Sequence, residues 1–312
     1  WLLREHPVFL AIWCVYGLSL WAWLGGAISR QTALQATGHD PPSAGEAMRF
    51  ARGRWLSFFT VPLLPLLFAG VMAFLFLMLP GLLLNFWSNV VVGLLFAVLL
   101  LFGAVVSFIL VFVVMAQGLF YPAIAVEGAD PFDALSRAGY YVFGRFWHWL
   151  FYSLVTLVYG AILYVILGMV MFLTLKVTHY FTGMWVTAKI GEDNHLLFES
   201  LFPEPQMGQL PSLEMDDDLG PFGQATFVCI TVWVHLLWAL LLAFAINYYI
   251  SAHTWIYLLL RRSADQTEFD EVHLSDEEPF APEPAVAPKK VEGTEQSDSS
   301  GDESGKDEEE GT

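Results

Sequence analysis

Residues 130–151 read DPFDALSRAGYYVFGRFWHWLF, a polar insert between two long apolar runs. Asp130 stands where a helix N-cap is expected, and Pro131 follows at the first helical position, where the missing N–H of proline costs nothing. Asp133 places negative charge in the first turn, and Arg137 stands four residues later, the spacing at which opposite charges meet on a helix. The stretch predicts a short helix between two membrane spans.

The predicted helix has two unlike faces. One face collects the apolar side chains of Phe132, Leu135, Val142, Phe143 and Phe146. The opposite face collects Asp133, Arg137, Tyr140, Tyr141 and Gly144. Such a helix is typical of a membrane interface, so we expect it to lie roughly in the membrane plane at the cytoplasmic surface.

A looser version of this insert occupies residues 40–59, which read DPPSAGEAMRFARGRWLSFF. Ser43 and Glu46 form a capping-box pattern at its start. Its apolar stripe is Ala44, Ala47, Met48, Ala51 and Trp55, whereas Glu46, Arg49, Arg52 and Gly53 face away. Both inserts end in Gly-Arg followed by aromatic residues, so the chain repeats a unit of span, interfacial helix and span.

Five apolar runs are long enough to cross a bilayer, which takes about 20 apolar residues. The runs are 8–28, 58–79, 91–117, 149–175 and 226–249, and none contains Asp, Glu, Lys or Arg. Since a spanning backbone must satisfy its hydrogen bonds internally, the runs predict helices and an all-α integral membrane protein. The last apolar stretch continues to residue 260, so we expect it to bend at the interface or to project into the cytoplasm.

The net charge of −17 is concentrated at the C-terminal end of the 312-residue chain. Residues 263–312 contain 17 acidic residues and 3 lysines, whereas residues 1–262 contain 14 acidic and 11 basic residues. A polar, strongly charged segment buries too little apolar surface to offset the entropy of ordering. We therefore predict a transmembrane helical bundle over 1–262 and a disordered, acidic cytoplasmic tail over 263–312.

The arginines predict the orientation. They fall in loop 29–56, in loop 118–148 and after the fifth run, all on one side of a five-span bundle. Cytoplasmic loops are enriched in Lys and Arg, so this side is expected to be cytoplasmic. Residue 1 would then lie outside, and we expect a further span upstream of it.

Few side chains are candidates for chemistry. His235 is the one ionisable residue predicted near the middle of a span, where polar groups often mark a functional site, although a lone histidine in a span is more often a packing or hydrogen-bonding residue. Arg54 and Arg145, each directly after a glycine at the end of an insert, are candidates for binding lipid head groups. The pattern contains no catalytic constellation, cofactor motif or metal-ligand spacing, and Cys14 and Cys229 are expected to be buried small apolar residues.

The segment YPAIAVEGADPFDALSRAGYYVFGRFWHWL, residues 121–150, resembles a signature of several prokaryotic polytopic membrane families. These families include the membrane domain attached to some glycerophosphodiester phosphodiesterases. The matching residues are Pro122, Glu127, Gly128, Ala134, Leu135, Gly144, Arg145, Phe146 and Trp147, whereas Ala138 stands where a serine is often found. The resemblance implies a polytopic protein of the bacterial inner membrane, and no phosphodiesterase domain accompanies it here.

These patterns favour a non-enzymatic module that acts as a scaffold, handles lipid or binds a partner. The expected partners are membrane lipids and a basic cytoplasmic protein that the acidic tail would bind, and not nucleic acid. A transporter of a small or lipidic solute is the alternative, supported by the internal repeat. An intramembrane lipid enzyme is a further alternative, and it would need a pocket that joins His235 to the arginines.

Overall fold

A computed structural model describes residues 5–79, 89–190, 198–206, 220–267 and 272–273. Regular structure in these residues is helical. Its main helices are α1 (Pro7–Ala36), α2 (Ala44–Gly53), α3 (Trp55–Thr60), α4 (Leu63–Ala73), α5 (Asn89–Glu127), α6 (Pro131–Gly144), α7 (Phe146–Ile190) and α8 (Pro221–Asp265). A π-helical turn, Phe74–Met78, continues α4.

Five helical segments are long and apolar enough to cross a membrane, which confirms the prediction of a multi-pass membrane protein. The segments are Pro7–Ala36, Trp55–Met78, Phe96–Glu127, Phe146–Trp185 and Phe222–Asp265. Several helices outrun the apolar stretches that predicted them. The third run was expected to end at residue 117, but α5 continues through Pro122 to Glu127. Helix α8 is continuous over 45 residues, or about 67 Å, roughly twice the thickness of a bilayer core.

Both inserts form separate helices, as predicted. The capping box of α2 is present, with Ser43 N donating to Glu46 Oε2 at 2.8 Å and Glu46 N donating to Ser43 Oγ at 3.3 Å. In α6, Arg137 Nε donates to Asp133 Oδ2 at 2.9 Å, which confirms the predicted pair. Asp130 occupies the N-cap position, but its side chain makes no capping hydrogen bond. The orientation of the two inserts in the membrane plane stays a prediction.

The surface of α6 that is buried in the bundle coincides with neither of the two faces described from the sequence. Ala134, Ala138, Tyr141 and Val142 are buried, whereas Phe132 is 72% exposed. The reason is that helices associate in a membrane through small residues, which allow close approach of the backbones, so large apolar rings can remain outside. Helix α2 follows the same rule, since Ala47 and Ala51 are its buried residues.

The packed core lies at one end of the bundle, which we call the arginine-rich end because Arg30, Arg54, Arg137 and Arg261 lie there. Its largest cluster joins Phe58 and Val61 to residues of α5, α6 and α8, including Phe120, Ile124, Tyr141, Ile256 and Tyr257. Away from this end the spans are mostly bare. Between 6% and 17% of the residues in the most apolar stretch of each span are buried. The exposed apolar surface is suited to lipid.

A smaller cluster lies at the opposite end. Phe198 and Phe202, from a segment that includes a helical turn over 198–201, pack with Leu175 of α7 and Val234 of α8. Lys176 forms an ion pair with Glu204 of the same segment. This contact joins the far ends of α7 and α8.

Glycines admit aromatic rings between helices. A Cβ added at Gly26 of α1 would lie 2.8 Å from the ring of Phe58, and one added at Gly118 of α5 would overlap the ring of His253. Close approach of this kind is a main source of helix association in membranes. These contacts bring α1 close to α3 and α5 close to α8.

The bundle extends beyond the boundary predicted from composition. Helix α8 continues to Asp265, Val272 packs against the main core, and residues 1–273 form one compact unit. The described contacts of the bundle therefore reach residue 273, and the predicted disorder of 274–312 lies outside the described residues. The expectation of buried cysteines is wrong, because Cys14 and Cys229 are both free and exposed on the surfaces of α1 and α8.

Candidate functional site

Glu127, the last residue of α5, is the centre of a charged cluster at the arginine-rich end. Its side chain is 8% exposed. Tyr257 Oη donates to its Oε1 at 2.5 Å, Arg261 Nε lies 3.3 Å from the same oxygen, and Arg137 forms an ion pair with its Oε2. We call these four residues the Glu127 cluster. Both carboxylate oxygens of Glu127 therefore have partners, and these partners offset the cost of burying its charge.

A second link joins α6 to α8 beside this cluster. Tyr141 Oη donates to Asp265 Oδ2 at 2.5 Å, and the ring of Tyr141 meets that of Tyr257 edge to face with 5.4 Å between centroids. Two effects raise the pKa of Tyr141. Burial is the larger one, and the hydrogen bond to Asp265 is the next. The phenol therefore stays protonated at neutral pH and donates to the carboxylate.

Two arginines bind the main-chain carbonyls at the end of α5. Arg30 of α1 is 2% exposed, and its Nη1 donates to Ala125 O at 3.0 Å. Arg54 Nη1 donates to Gly128 O at 2.5 Å. Both guanidinium groups lie over the ring of Phe50, at 4.5 and 5.5 Å from its centroid. The last carbonyls of a helix lack intrahelical partners and carry partial negative charge, so cations stabilise them.

Val272 and His273 form a strap across the same helix end. His273 N donates to Val126 O at 2.8 Å, and His273 O accepts from Arg30 Nη1 at 2.7 Å. His273 Nε2 lies 3.1 Å from Arg54 Nη2. Arginine only donates, so this nitrogen accepts and the proton of the neutral ring is on Nδ1. The ring packs against Gly128, whose φ of +65° and close contact leave no room for a Cβ.

The two arginines predicted to bind head groups have different surroundings. Arg54 is part of the helix-end contacts just described. Arg145 lies between α6 and α7 with its side chain exposed, and the described residues provide it with no ion pair. Binding of lipid by either residue stays a prediction.

His235 lies on the exposed surface of α8, where its Nδ1 is 2.8 Å from Thr231 O in the preceding turn. It precedes Arg261 by 26 residues on one continuous helix, a separation of about 39 Å. The structure therefore does not bring His235 and the arginines of the Glu127 cluster into one pocket.

An open groove of about 260 Å³ lies between α1 and the junction of α2 with α3. Its lining residues are Ser19, Leu20, Trp23, Arg52 and Trp55. No local pattern predicts this groove, because its residues come from two separate segments, the first span and the first insert.

Sequence reasoning also missed the central residues of the arginine-rich end. In the sequence, Arg30 bears only on the predicted orientation, and Glu127 bears only on the resemblance. A carboxylate directly after an apolar run, followed by Gly, was the available signal that Glu127 would be enclosed. The partners Tyr257 and Arg261 lie 130 and 134 positions away and had no local signal.

No family model, no curated protein and no solved structure matches this chain.

Proposed function

We propose that this chain is a non-enzymatic, multi-pass membrane module that gathers anionic lipid at its arginine-rich end and acts there as a scaffold. The observation that supports this is the division of the arginines into two sets. Arg30, Arg54, Arg137 and Arg261 contact main-chain carbonyls or carboxylates of the bundle. The remaining arginines include three that are exposed at the same end: Arg49, Arg52 and Arg145.

The first set is engaged inside the bundle, and the second set is available to an external anion. A basic residue next to an anionic membrane surface contributes about 1 kcal/mol of attraction. The spans expose apolar side chains over most of their length, which supports a position of the three exposed arginines close to lipid. A preorganised group of cations beside a lipid-facing surface fits a lipid-handling role better than a soluble substrate.

We further propose that the arginine-rich end is cytoplasmic and that the membrane is the bacterial inner membrane. Arginine distribution supports the first part, since it follows the positive-inside rule. The resemblance of residues 121–150 supports the second part. The acidic residues of 274–312 would then lie in the cytoplasm and attract a basic protein surface.

The test is to extract the protein from its native membrane in polymer nanodiscs and to quantify the lipids and proteins that remain bound. Anionic phospholipid should be enriched over the bulk membrane composition. The matched control is the variant R49Q/R52Q/R145Q, which keeps the internal arginines and should return the lipid composition toward bulk. A wild-type extract with bulk composition would contradict the proposal.

A transporter is the second candidate. The repeated unit of span, insert and span supports it, as do hydroxyl groups between α1, α5 and α8. Thr32 Oγ1 lies 3.0 Å from Ser251 Oγ, and Ser29 Oγ and Tyr121 Oη are buried without a hydrogen bond among the described residues. Flux of uncharged solutes into proteoliposomes, blocked by Ser29→Leu, would favour this candidate. The lipid-enzyme alternative has no such support, because His235 lies far from the arginines.

A further inference from the structure

The groove beside Arg52 has walls that are fixed by the main chain. Trp23 Nε1 donates to Met48 O at 3.2 Å, and Trp55 Nε1 donates to Ser19 O at 3.4 Å. The ring of Trp55 also stacks on Phe59 with 5.0 Å between centroids. Because each indole N–H is already used inside the protein, the aromatic surfaces rather than the polar edges are available to a molecule in the groove.

Arg52 differs from the other arginines of the first insert. Arg54 donates to Gly128 O, and Arg49 contributes, after the hydrogen bonds from Ser43, to lowering the pKa of Glu46. Arg52 is exposed, and within the described part of the chain no hydrogen bond or ion pair engages its guanidinium group.

The position of this guanidinium calls for an anion. Ser19 and Leu20, which line the groove with Arg52, belong to the apolar run of the first span. Arg52 therefore lies beside a lipid-facing surface rather than in bulk water. A cation in such a place is costly unless it is paired or reaches the head-group region.

We propose that this groove is a binding site for one anionic phospholipid, with the phosphate on Arg52 and the glycerol backbone and upper acyl chain against Trp23, Trp55 and Leu20. A planar guanidinium matches the oxygens of a phosphate in a two-point contact. Tryptophan rings are suited to the boundary between head group and hydrocarbon. This site deepens the proposed lipid-handling function by naming one place and one ligand class.

The shape of the groove favours a lipid over a soluble anion. Leu20 of α1, which lines the groove, is 37% exposed and belongs to the apolar surface of the first span. A soluble phosphate would contact Arg52 alone and leave the apolar wall of the groove uncovered. An anionic lipid is favoured over a zwitterionic one because its head group adds no positive charge next to Arg52.

The site is tested with the full chain in detergent, titrated with phosphatidylglycerol or with phosphatidylcholine of the same acyl chains and followed by native mass spectrometry. Wild type should bind phosphatidylglycerol more tightly. Arg52→Gln should weaken that binding about fivefold, the equivalent of about 1 kcal/mol. Arg49→Gln is the matched control, since it removes the same charge from the same helix outside the groove. Its attraction for anionic lipid in a bilayer depends on the charged membrane surface, which detergent does not present, so this variant should change the affinity less than twofold.

Three results would overturn the site. Equal losses in Arg52→Gln and Arg49→Gln would mean attraction to general surface charge. Unchanged binding in Arg52→Gln would remove the arginine from the site. Glycerol phosphate that competes as strongly as the lipid would mean a site for a soluble anion. Trp23→Phe keeps an aromatic ring at this position and should preserve binding, whereas Trp23→Ala removes it and should reduce binding.

The test separates this site from the wider function. If Arg52→Gln binds like wild type while native nanodiscs are still enriched in anionic lipid, the groove assignment fails and the proposed function stands. If the groove binds phosphatidylglycerol in detergent but native nanodiscs show bulk composition, the site stands and the proposed function fails.

Discussion

The two inserts solve the same packing problem and then diverge. Aligned on their Gly-Arg ends, Ala47 corresponds to Ala138, Ala51 to Val142 and Phe50 to Tyr141. The small residue is fully or almost fully buried in both helices. The aromatic position differs, because Phe50 lies beneath the guanidinium groups of Arg30 and Arg54, whereas Tyr141 donates a hydrogen bond to Asp265.

The arginine after the glycine diverges further. Arg54 turns inward and donates to Gly128 O, whereas Arg145 is exposed. Gly128 belongs to the connection between α5 and α6. The hydrogen bond from Arg54 therefore joins the first insert to the residues just before the second insert. The two inserts therefore pack on their own spans in the same way. Equivalent positions differ in the contacts that they make between the two repeated units.

The largest effect should come from removing the carboxylate at the centre of the second unit. Glu127→Ala leaves Arg137 and Arg261 without their shared buried partner and Tyr257 without an acceptor, so it should cost about 3–5 kcal/mol of unfolding free energy. Asp133→Ala, which breaks only an exposed pair, should cost less than about 1 kcal/mol. Reversible unfolding in mixed micelles measures both. Similar costs for the two variants would contradict the central role of Glu127.

The two equivalent arginines should respond differently to the same substitution. Arg54→Gln removes a charged hydrogen bond to a helix-end carbonyl and a contact with His273, so it should cost about 1.5–3 kcal/mol. Arg145→Gln should leave the melting temperature unchanged within error, because the side chain is exposed. Thermal unfolding in one detergent compares them directly. A larger loss in Arg145→Gln would show that the second insert also relies on its arginine.

The strap predicts a sharp boundary in C-terminal truncation. A chain that stops after residue 274 keeps the contacts of His273 with Val126 and Arg30 and should unfold like the full chain. A chain that stops after residue 267 loses them and should be less stable by about 1–2 kcal/mol. Melting temperatures of the two truncations test the boundary. Equal values would mean that the strap does not stabilise the helix end.

The smallest effect concerns the helix starts. Ser43→Ala should cost about 1 kcal/mol, because it breaks the capping box of α2, whereas Asp130→Ala should cost only a few tenths, since Asp130 makes no capping hydrogen bond. The hydrogen bond from Ser43 N lowers the pKa of Glu46 below its usual value of 4.5. Its contribution to stability is therefore present above about pH 4.5 and is lost as the pH falls through the lowered value. The pH dependence of unfolding should weaken on that side in Glu46→Gln.

The spans, the two inserts and the capping box at the start of α2 follow from the amino-acid sequence alone. Apolar runs of sufficient length predict helices because no other backbone structure satisfies its hydrogen bonds in lipid. The capping box of Ser43 and Glu46 and the pair of Asp133 and Arg137 depend on residues three or four apart, so the helix period alone reveals them.

The buried face of each helix and the pairing of distant charges depend on how the helices pack. In a soluble protein an apolar stripe marks the buried face, but lipid is as apolar as a protein core, so large apolar rings gain little from burial and small residues decide the contact. The pattern therefore misplaced Tyr141 and could not show the groove of Trp23, Arg52 and Trp55. Arg30 and His273 meet across 243 positions, and Glu127 meets Tyr257 across 130. Such pairs follow from how α1, α5 and α8 pack, because a local pattern contains no information about distances between separate helices.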